Sequence, residues 1–508
     1  MLNVNVWLAN AVQKSIKLLY GFMILSILIC CVLFVDIGYG RDFHNSYLPT
    51  LILIPFGMVF IFGILTCLEK GDCSSKYIVY IALALFAIQV YSTWNYYFYT
   101  DWDSSTLTMF ANAFAHGEDV SWLSWYFSRY PNNIFLGVIF AGIEKMAHCM
   151  GLHSLEYFSL IVVQCAIVSI TGVLLFKIII GLLDNKTLAY LGYILYHLIV
   201  GLSPWVSIPY SDAMGLLFPT MIYYLYINRN KYKNSLVVWM NIAVFTWIGY
   251  KIKPQVVILF IGIVLVEILS FIKEKKTGKT AYKNTIIGIL LGIIIAAFGV
   301  NTLINKVPLT IDENQSFGIE HYFMMGMNPD AMGVYSEEDV QFSSSFLSKD
   351  LRNKADLRET FMRINQMGVT GCVKQAIRKT LTNYNDGTFC WGGEGDFFVT
   401  VFDEKYLPGN KLFRGLYYTR DYADIGRHYS VWSNFEQMLW MAILVMNVVS
   451  IFAKKANTVN ALMLGIVGLT IFELLFEARA RYLFSYIPLY IVISIYGIGV
   501  IREKKISI

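Results

Sequence analysis

Charge is what this chain has least of. Only 15% of its 508 residues are Asp, Glu, Lys or Arg, against 56% hydrophobic ones; a soluble chain carries closer to about a quarter charged residues. No sustained polar–apolar alternation runs along it, which argues against a membrane β-barrel. The eight cysteines form no C-x-x-C pair and show neither metal-finger nor disulfide-framework spacing. No P-loop, Rossmann fingerprint or zinc-binding motif occurs. No metal site is therefore expected from a motif, and no nucleic-acid partner.

What is abundant is apolar sequence, with a mean hydropathy of +0.55. Repeated apolar runs of about 18–25 residues mark an all-α polytopic membrane protein with the lipid bilayer as its solvent. They fall at 17–36, 47–68, 77–98, 132–149, 155–180, 187–204, 211–228, 235–250, 254–272, 283–304, 433–453, 458–476 and 482–501. Lys14 and Lys17 precede the first run, and no small-residue cleavage site follows it, so it reads as an uncleaved span. Between 305 and 432 lies a polar stretch long enough for a small folded domain. Cys372 and Cys390 fall within it, and a disulfide between them is open.

Basic loops should lie on the cytoplasmic side. The clusters are Arg229/Lys231/Lys233, Lys273/Lys275/Lys276/Lys279, Lys454/Lys455 and Arg502/Lys504/Lys505. An even number of spans separates each from the next. They share a side with Lys14 and Lys17 only if one earlier segment does not cross. Segment 132–149 is short and carries Glu144, Lys145 and His148, so it reads as an amphipathic helix lying in the interface. About twelve transmembrane helices remain. The expected architecture is an N-terminal membrane module over 1–304 with a large outer loop at 99–154, an extracytoplasmic mixed domain over 305–432, and a C-terminal membrane module over 433–508.

That arrangement places Asp101-Trp102-Asp103 outside, directly after Tyr96-Tyr97-Phe98-Tyr99. Two carboxylates at the rim of an apolar segment are costly unless they are solvated or functional. They are either caps of the following helix or a catalytic base. The Asp-x-Asp shape can also hold a divalent cation, though metal-independent chemistry is the stronger expectation. The loop continues through Trp122, Trp125, Tyr126, Arg129 and Tyr130-Pro131, an aromatic density suited to the headgroup layer.

An outward acidic motif followed by interfacial helices ending near a Tyr-Pro resembles the first outer loop of the GT-C glycosyltransferases. The likeness is to the family 39 protein mannosyltransferases and the bacterial aminoarabinose transferases. Asp103 is followed by Ala111 and Gly117 at the family's approximate spacing, although Trp102-Asp103-Ser104 departs from the usual Asp-Glu. Pro209-Tyr210-Ser211-Asp212-Ala213 resembles the Pro-Asp-Ala stretch of family 39, and Glu477-Ala478-Arg479-Ala480-Arg481-Tyr482 resembles the Arg-Tyr element before the last GT-C span. Two additional N-terminal spans depart from the usual arrangement.

The resemblance implies sugar transfer from a polyprenyl-phosphate donor to a glycan, lipid or protein acceptor at the extracytoplasmic face of the cell membrane. A hydroxyl acceptor needs a carboxylate to take its proton, which assigns Asp103, with Asp101 close behind. The phosphate leaving group needs fixed cations, which assigns Arg481 and Arg479. Lys253 is either a membrane anchor or a phosphate contact. Tyr482, Tyr210, Asp212, Arg129, Tyr130 and Glu477 complete the expected substrate site, with His321 approaching from the polar domain. Asn385-Asp386-Gly387 and Trp391-Gly392-Gly393-Glu394-Gly395-Asp396 read as surface turns. The competing classes are a transporter or flippase of lipid-linked saccharides, which needs charges deep in several spans, and a glycan polymerase.

Overall fold

A computed structural model describes residues 2–38, 48–71, 73–274, 279–394, 411–419, 428–453 and 457–506. Every regular element among these residues is a helix. Thirteen of them build the membrane bundle and its rim: α1 (Leu2–Leu33), α2 (Thr50–Glu69), α3 (Ile78–Trp94), α4 (Asp103–His116), α5 (Ser124–Arg129), α6 (Ile134–Cys149), α7 (Glu156–Leu183), α8 (Lys186–Tyr196), α9 (Ser211–Gly215), α10 (Leu217–Asn228), α11 (Ser235–Ile252), α12 (Val256–Glu274) and α13 (Lys279–Ile304). The polar region holds α14 (Ile319–Gly326), α15 (Glu337–Ser344), α16 (Lys349–Tyr384) and α17 (Lys411–Tyr417). The chain returns to the bundle through α18 (Tyr429–Val449), α19 (Asn457–Leu475) and α20 (Ile487–Ile506).

Nine helices among the described residues are long and apolar enough to cross a membrane, and α12 adds a shorter apolar stretch, Val256–Ile272. Segments 187–204 and 211–228, expected as continuous spans, are interrupted instead. α8 widens into a π turn over His197–Gly201 and ends in a tight turn at Pro204–Ser207. The second segment splits into α9 and α10, where Pro219 has no N–H for the Gly215 carbonyl. Hydropathy registers the apolar residues and not the break in the hydrogen-bond ladder.

Lipid supplies no hydrophobic force between helices, so close backbone approach decides packing. The Gly288-Ile-Leu-Leu-Gly292 face of α13 lies against α11, where a Cβ on either glycine would collide with the Leu236 or Met240 carbonyl. The outward faces stay apolar and open: Val59 and Tyr80 are each 72% exposed and Phe298 75%. α18 and α20 form the centre, with Leu439, Trp440, Leu489 and Tyr490 fully buried.

Contacts sort the loops into two ends. At one, Arg502 pairs with Glu69 (2.8 Å), Arg229 with Glu267 (2.9 Å), and Lys17 Nζ donates to the Ala453 carbonyl (3.1 Å). At the other, Thr50 Oγ1 donates to Asn385 Oδ1 (3.1 Å), the Trp205 indole to the Thr388 carbonyl (3.2 Å), and the Ala478 amide to the Gly333 carbonyl (2.8 Å). Lys275, Lys276, Lys454, Lys455 and Asp396 lie outside the described residues.

The polar region corrects two expectations. It is helical, not mixed: no strand occurs among its described residues, and residues 395–410 and 420–427 are outside them. α15 starts on a Ser336 cap that accepts the Asp339 amide (3.2 Å), with three acidic residues in its first turn, the favourable charge for a helix N-terminus. Cys372 and Cys390 are both free thiols, so the disulfide left open does not form.

Candidate functional site

The site grows from the start of α4. The Trp102 carbonyl accepts the amides of Ser105 (2.7 Å) and Thr106 (3.3 Å) and opens the helix, which puts Asp103 in its first turn. Ser104 Oγ then donates to the Pro209 carbonyl (2.9 Å), pinning this turn to the loop before α9. That loop is itself held from α7. Buried Gln164 donates to the Val206 and Ile208 carbonyls (2.8 and 2.9 Å) and accepts the Tyr210 amide (3.1 Å). The result delivers the Tyr210 hydroxyl to Asp103 Oδ2 at 3.1 Å.

Trp102 packs edge-to-face on the Tyr210 ring, with centroids 4.9 Å apart. Its indole N–H donates to Glu394 Oε2 (2.9 Å), and Arg479 donates to Glu394 Oε1 (3.0 Å). Burial pushes the Glu394 carboxyl above its ordinary range, against the pull of Arg479 and Arg481. The same cause raises Glu477, which accepts the Tyr482 hydroxyl at 3.1 Å. Tyr210 is raised too, by burial first and then by the Asp103 charge.

Arg481 occupies the middle. Its guanidinium carbon lies 4.6 Å from the centre of the Trp102 ring, 5.2 Å from Tyr210, and 5.8 Å from both Trp205 and Tyr482. Such faces attract a cation. Asp212 Oδ2 lies 3.6 Å from its Nη1, an ion pair too long to be a hydrogen bond. Buried Nε and Nη1 of Arg481 and Oδ2 of Asp212 have no hydrogen-bond partner. The other Asp212 oxygen is taken by buried Lys253. A buried guanidinium with unused N–H groups in an aromatic frame is suited to an oxyanion.

Most of the expected residues therefore meet: Asp103, Tyr210, Asp212, Lys253, Glu477, Arg479, Arg481 and Tyr482. Tyr130 lies at the edge, its hydroxyl raised to about 12 by burial and then by Asp103. Three do not join. Asp101 is exposed, outside the first turn of α4. Arg129 lies over the Phe317 ring at 5.3 Å. His321 is buried in the polar region, with Nδ1 2.7 Å from Ser343 Oγ.

Sequence reasoning missed Glu394, Trp102 and Trp205 as parts of the site. The turns expected at the surface are buried where they are described: Asn385, Asp386 and Glu394 are 3%, 2% and 2% exposed, and Gly395 and Asp396 lie outside the described residues. Asp386 folds its turn by accepting the Thr388 and Cys390 amides, each at 2.8 Å. Turn chemistry read the local conformation correctly but carries no information on burial. Within α19, buried Glu473 has neither carboxylate oxygen hydrogen-bonded.

No curated protein and no solved structure matches the chain. Residues 8–499 match the model of a family described as conserved hypothetical integral membrane protein. With helices fit to span the bilayer many times over and nearly its whole length matched, the chain belongs to that family of multi-pass membrane proteins.

Proposed function

We propose that this protein is a glycosyltransferase that moves a sugar from a polyprenyl-phosphate carrier to a hydroxyl of a cell-envelope glycan, lipid or protein, at the extracytoplasmic face of the cell membrane. One observation carries the reading. Tyr210 touches both halves of the needed chemistry, a carboxylate through its hydroxyl and a buried arginine across its ring.

In this reaction Asp103 takes the proton of the acceptor hydroxyl as that oxygen attacks the anomeric carbon. The bond from that carbon to the phosphate oxygen breaks, and the electron pair leaves with the phosphate. Arg481 meets the growing charge with its unused N–H groups, where low dielectric strengthens the interaction. Arg479 is already committed to Glu394, so its part is to hold Glu394 and, through it, the Trp102 ring beside Arg481.

The test is transfer of labelled sugar from polyprenyl-phosphate carriers by the purified protein. Wild-type transfer that Asp103→Asn abolishes supports the proposal; unimpaired transfer in Asp103→Asn removes the base. The flippase reading draws on Glu436 and Glu473, carboxylates buried within α18 and α19. Proteoliposomes that translocate a lipid-linked saccharide without transferring its sugar would decide for it.

A further inference from the structure

At the far end of α4 from Asp103, three helices bring their ends together around four side chains. His116 lies in the last turn of α4, His148 in the last turn of α6, His153 in the turn before α7, and Glu156 in the first turn of α7. His116 Nε2 is 3.2 Å from His148 Nδ1 and 3.3 Å from Glu156 Oε2. His148 Nδ1 is 2.8 Å from Glu156 Oε1 and 3.0 Å from His153 Nδ1. Ligand atoms of His116, His148 and Glu156 all fall within 4.8 Å of one another.

Protons serve only part of this cluster. His116 Nδ1 lies 2.8 Å from the Asn112 carbonyl, which can only accept, so that nitrogen carries the hydrogen. In the neutral ring Nε2 is then a bare lone pair aimed at His148 and Glu156. His148 Nδ1 can hold one proton, yet it faces two ring nitrogens and a carboxylate oxygen. A cation satisfies all of them at once. Ligands about 2.0–2.1 Å from a tetrahedral zinc ion stand about 3.3 Å apart, close to the spacing seen here. The Asn112 carbonyl supplies the outer contact that orients a metal-bound imidazole.

We propose that His116, His148 and Glu156 bind one divalent transition-metal ion of the zinc class, and that His153, its Nδ1 3.0 Å from His148 Nδ1 and 3.6 Å from Glu156 Oε1, turns in as the fourth ligand. Three imidazoles and a carboxylate select such an ion over magnesium or calcium. Four protein ligands leave no open position, which makes the site structural. It lies about 20 Å along α4 from Asp103 at 1.5 Å per residue, too far to touch reacting atoms. Its effect is to staple the end of α4 to α6 and α7 and so hold the helix that presents Asp103. Side chains of His148 and His153 are 45% and 64% exposed, so the ion can enter from water.

The full chain, purified in detergent and stripped with a chelator, is reloaded with Zn²⁺ or Co²⁺ alone and desalted. The expected result is about one ion per chain, with the strong visible bands of tetrahedral Co²⁺ lost when Zn²⁺ competes. His153→Ala, at an exposed position, is expected to weaken binding roughly 10–100-fold, and His148→Ala to remove the tetrahedral spectrum. Wild-type protein that retains no ion, or gives only the weak spectrum of octahedral Co²⁺, overturns the proposal. So does an unchanged spectrum in a folded His148→Ala variant. The wild-type spectrum decides by itself if a variant fails to fold.

Discussion

Tyr210 donates its hydroxyl hydrogen to Asp103 Oδ2 at 3.1 Å and so ties the loop before α9 to the first turn of α4. The partner is held from behind by Gln164, so the carboxylate meets a fixed donor. On the proposed function, Asp103→Asn keeps the shape and loses the base, and transfer should fall by about 10²–10⁴-fold. Tyr210→Phe removes one hydrogen bond to a charged group and should cost roughly tenfold. Asp101→Asn, exposed and outside the helix turn, should stay near wild type. Rates of labelled-sugar transfer for the three variants check the order; a larger loss at Asp101 than at Asp103 would reverse the assignment.

Arg481 should respond to charge-conserving replacement. Lysine keeps the positive charge but not the planar fork that meets an oxyanion with two N–H groups. Arg481→Lys is expected to raise the KM for the polyprenyl-phosphate donor roughly tenfold, with less change in the acceptor KM. Equal effects on both substrates would place the arginine elsewhere in the cycle.

The Lys253–Asp212 pair lies in the protein interior, 3% and 2% exposed. Asp212→Asn leaves two buried cations, Lys253 and Arg481, without their carboxylate, a loss of about 3–5 kcal/mol for each bare charge, whereas replacing Lys253 as well removes one of the two. Asp212→Asn should therefore lower the thermal midpoint in detergent well below that of the double variant Asp212→Leu/Lys253→Met. A double variant no more stable than Asp212→Asn would show that the pair does not carry this cost.

Much of this was legible in sequence for one physical reason: lipid forces long apolar runs on the chain, and α1, α7, α18 and α19 sit where those runs place them. Asp103, Arg479 and Arg481 were legible because charge at the edge of apolar sequence needs a cause, and Tyr210 and Asp212 through the resemblance of their stretch to the family 39 Pro-Asp-Ala element. Glu394 was not, since nothing local to Trp391-Gly392-Gly393-Glu394 encodes its bond to Trp102. The interruption of α8 was hidden because a π turn changes hydrogen-bond spacing without changing composition. The histidine cluster escaped because His116 joins His148 and His153 through tertiary packing of α4, and no short spacing records it.

Topology is tested at Glu118, an exposed residue just past the Gly117 cap of α4. With Asp103 on the extracytoplasmic face, Glu118→Cys in an otherwise cysteine-free chain should react with a membrane-impermeant thiol reagent applied outside intact cells. Reaction only after permeabilisation would put the site on the cytoplasmic face and rule out the proposed donor geometry.

His321, Ser343 and Asp356 give the polar region a pH signature of two opposing parts. Ser343 Oγ is 2.7 Å from His321 Nδ1 and donates to Asp356 Oδ1 at 2.8 Å. Burial lowers His321 to about 4 and raises Asp356 to about 6. Between pH 4 and about 6.5 the unfolded chain holds more of the histidine's proton, so that group makes stability rise with pH. From about 3.8 to 6 the folded chain holds more of the aspartate's proton, so that group makes stability fall as pH rises. The two nearly cancel between pH 4 and 6. His321→Gln leaves the aspartate alone, and its stability relative to wild type should fall with pH by up to about 1.4 kcal/mol per unit. Asp356→Asn leaves the histidine alone and should rise by a similar amount. Thermal midpoints in detergent across that range read both slopes, and parallel curves for wild type and both variants would show that neither group titrates differently on folding.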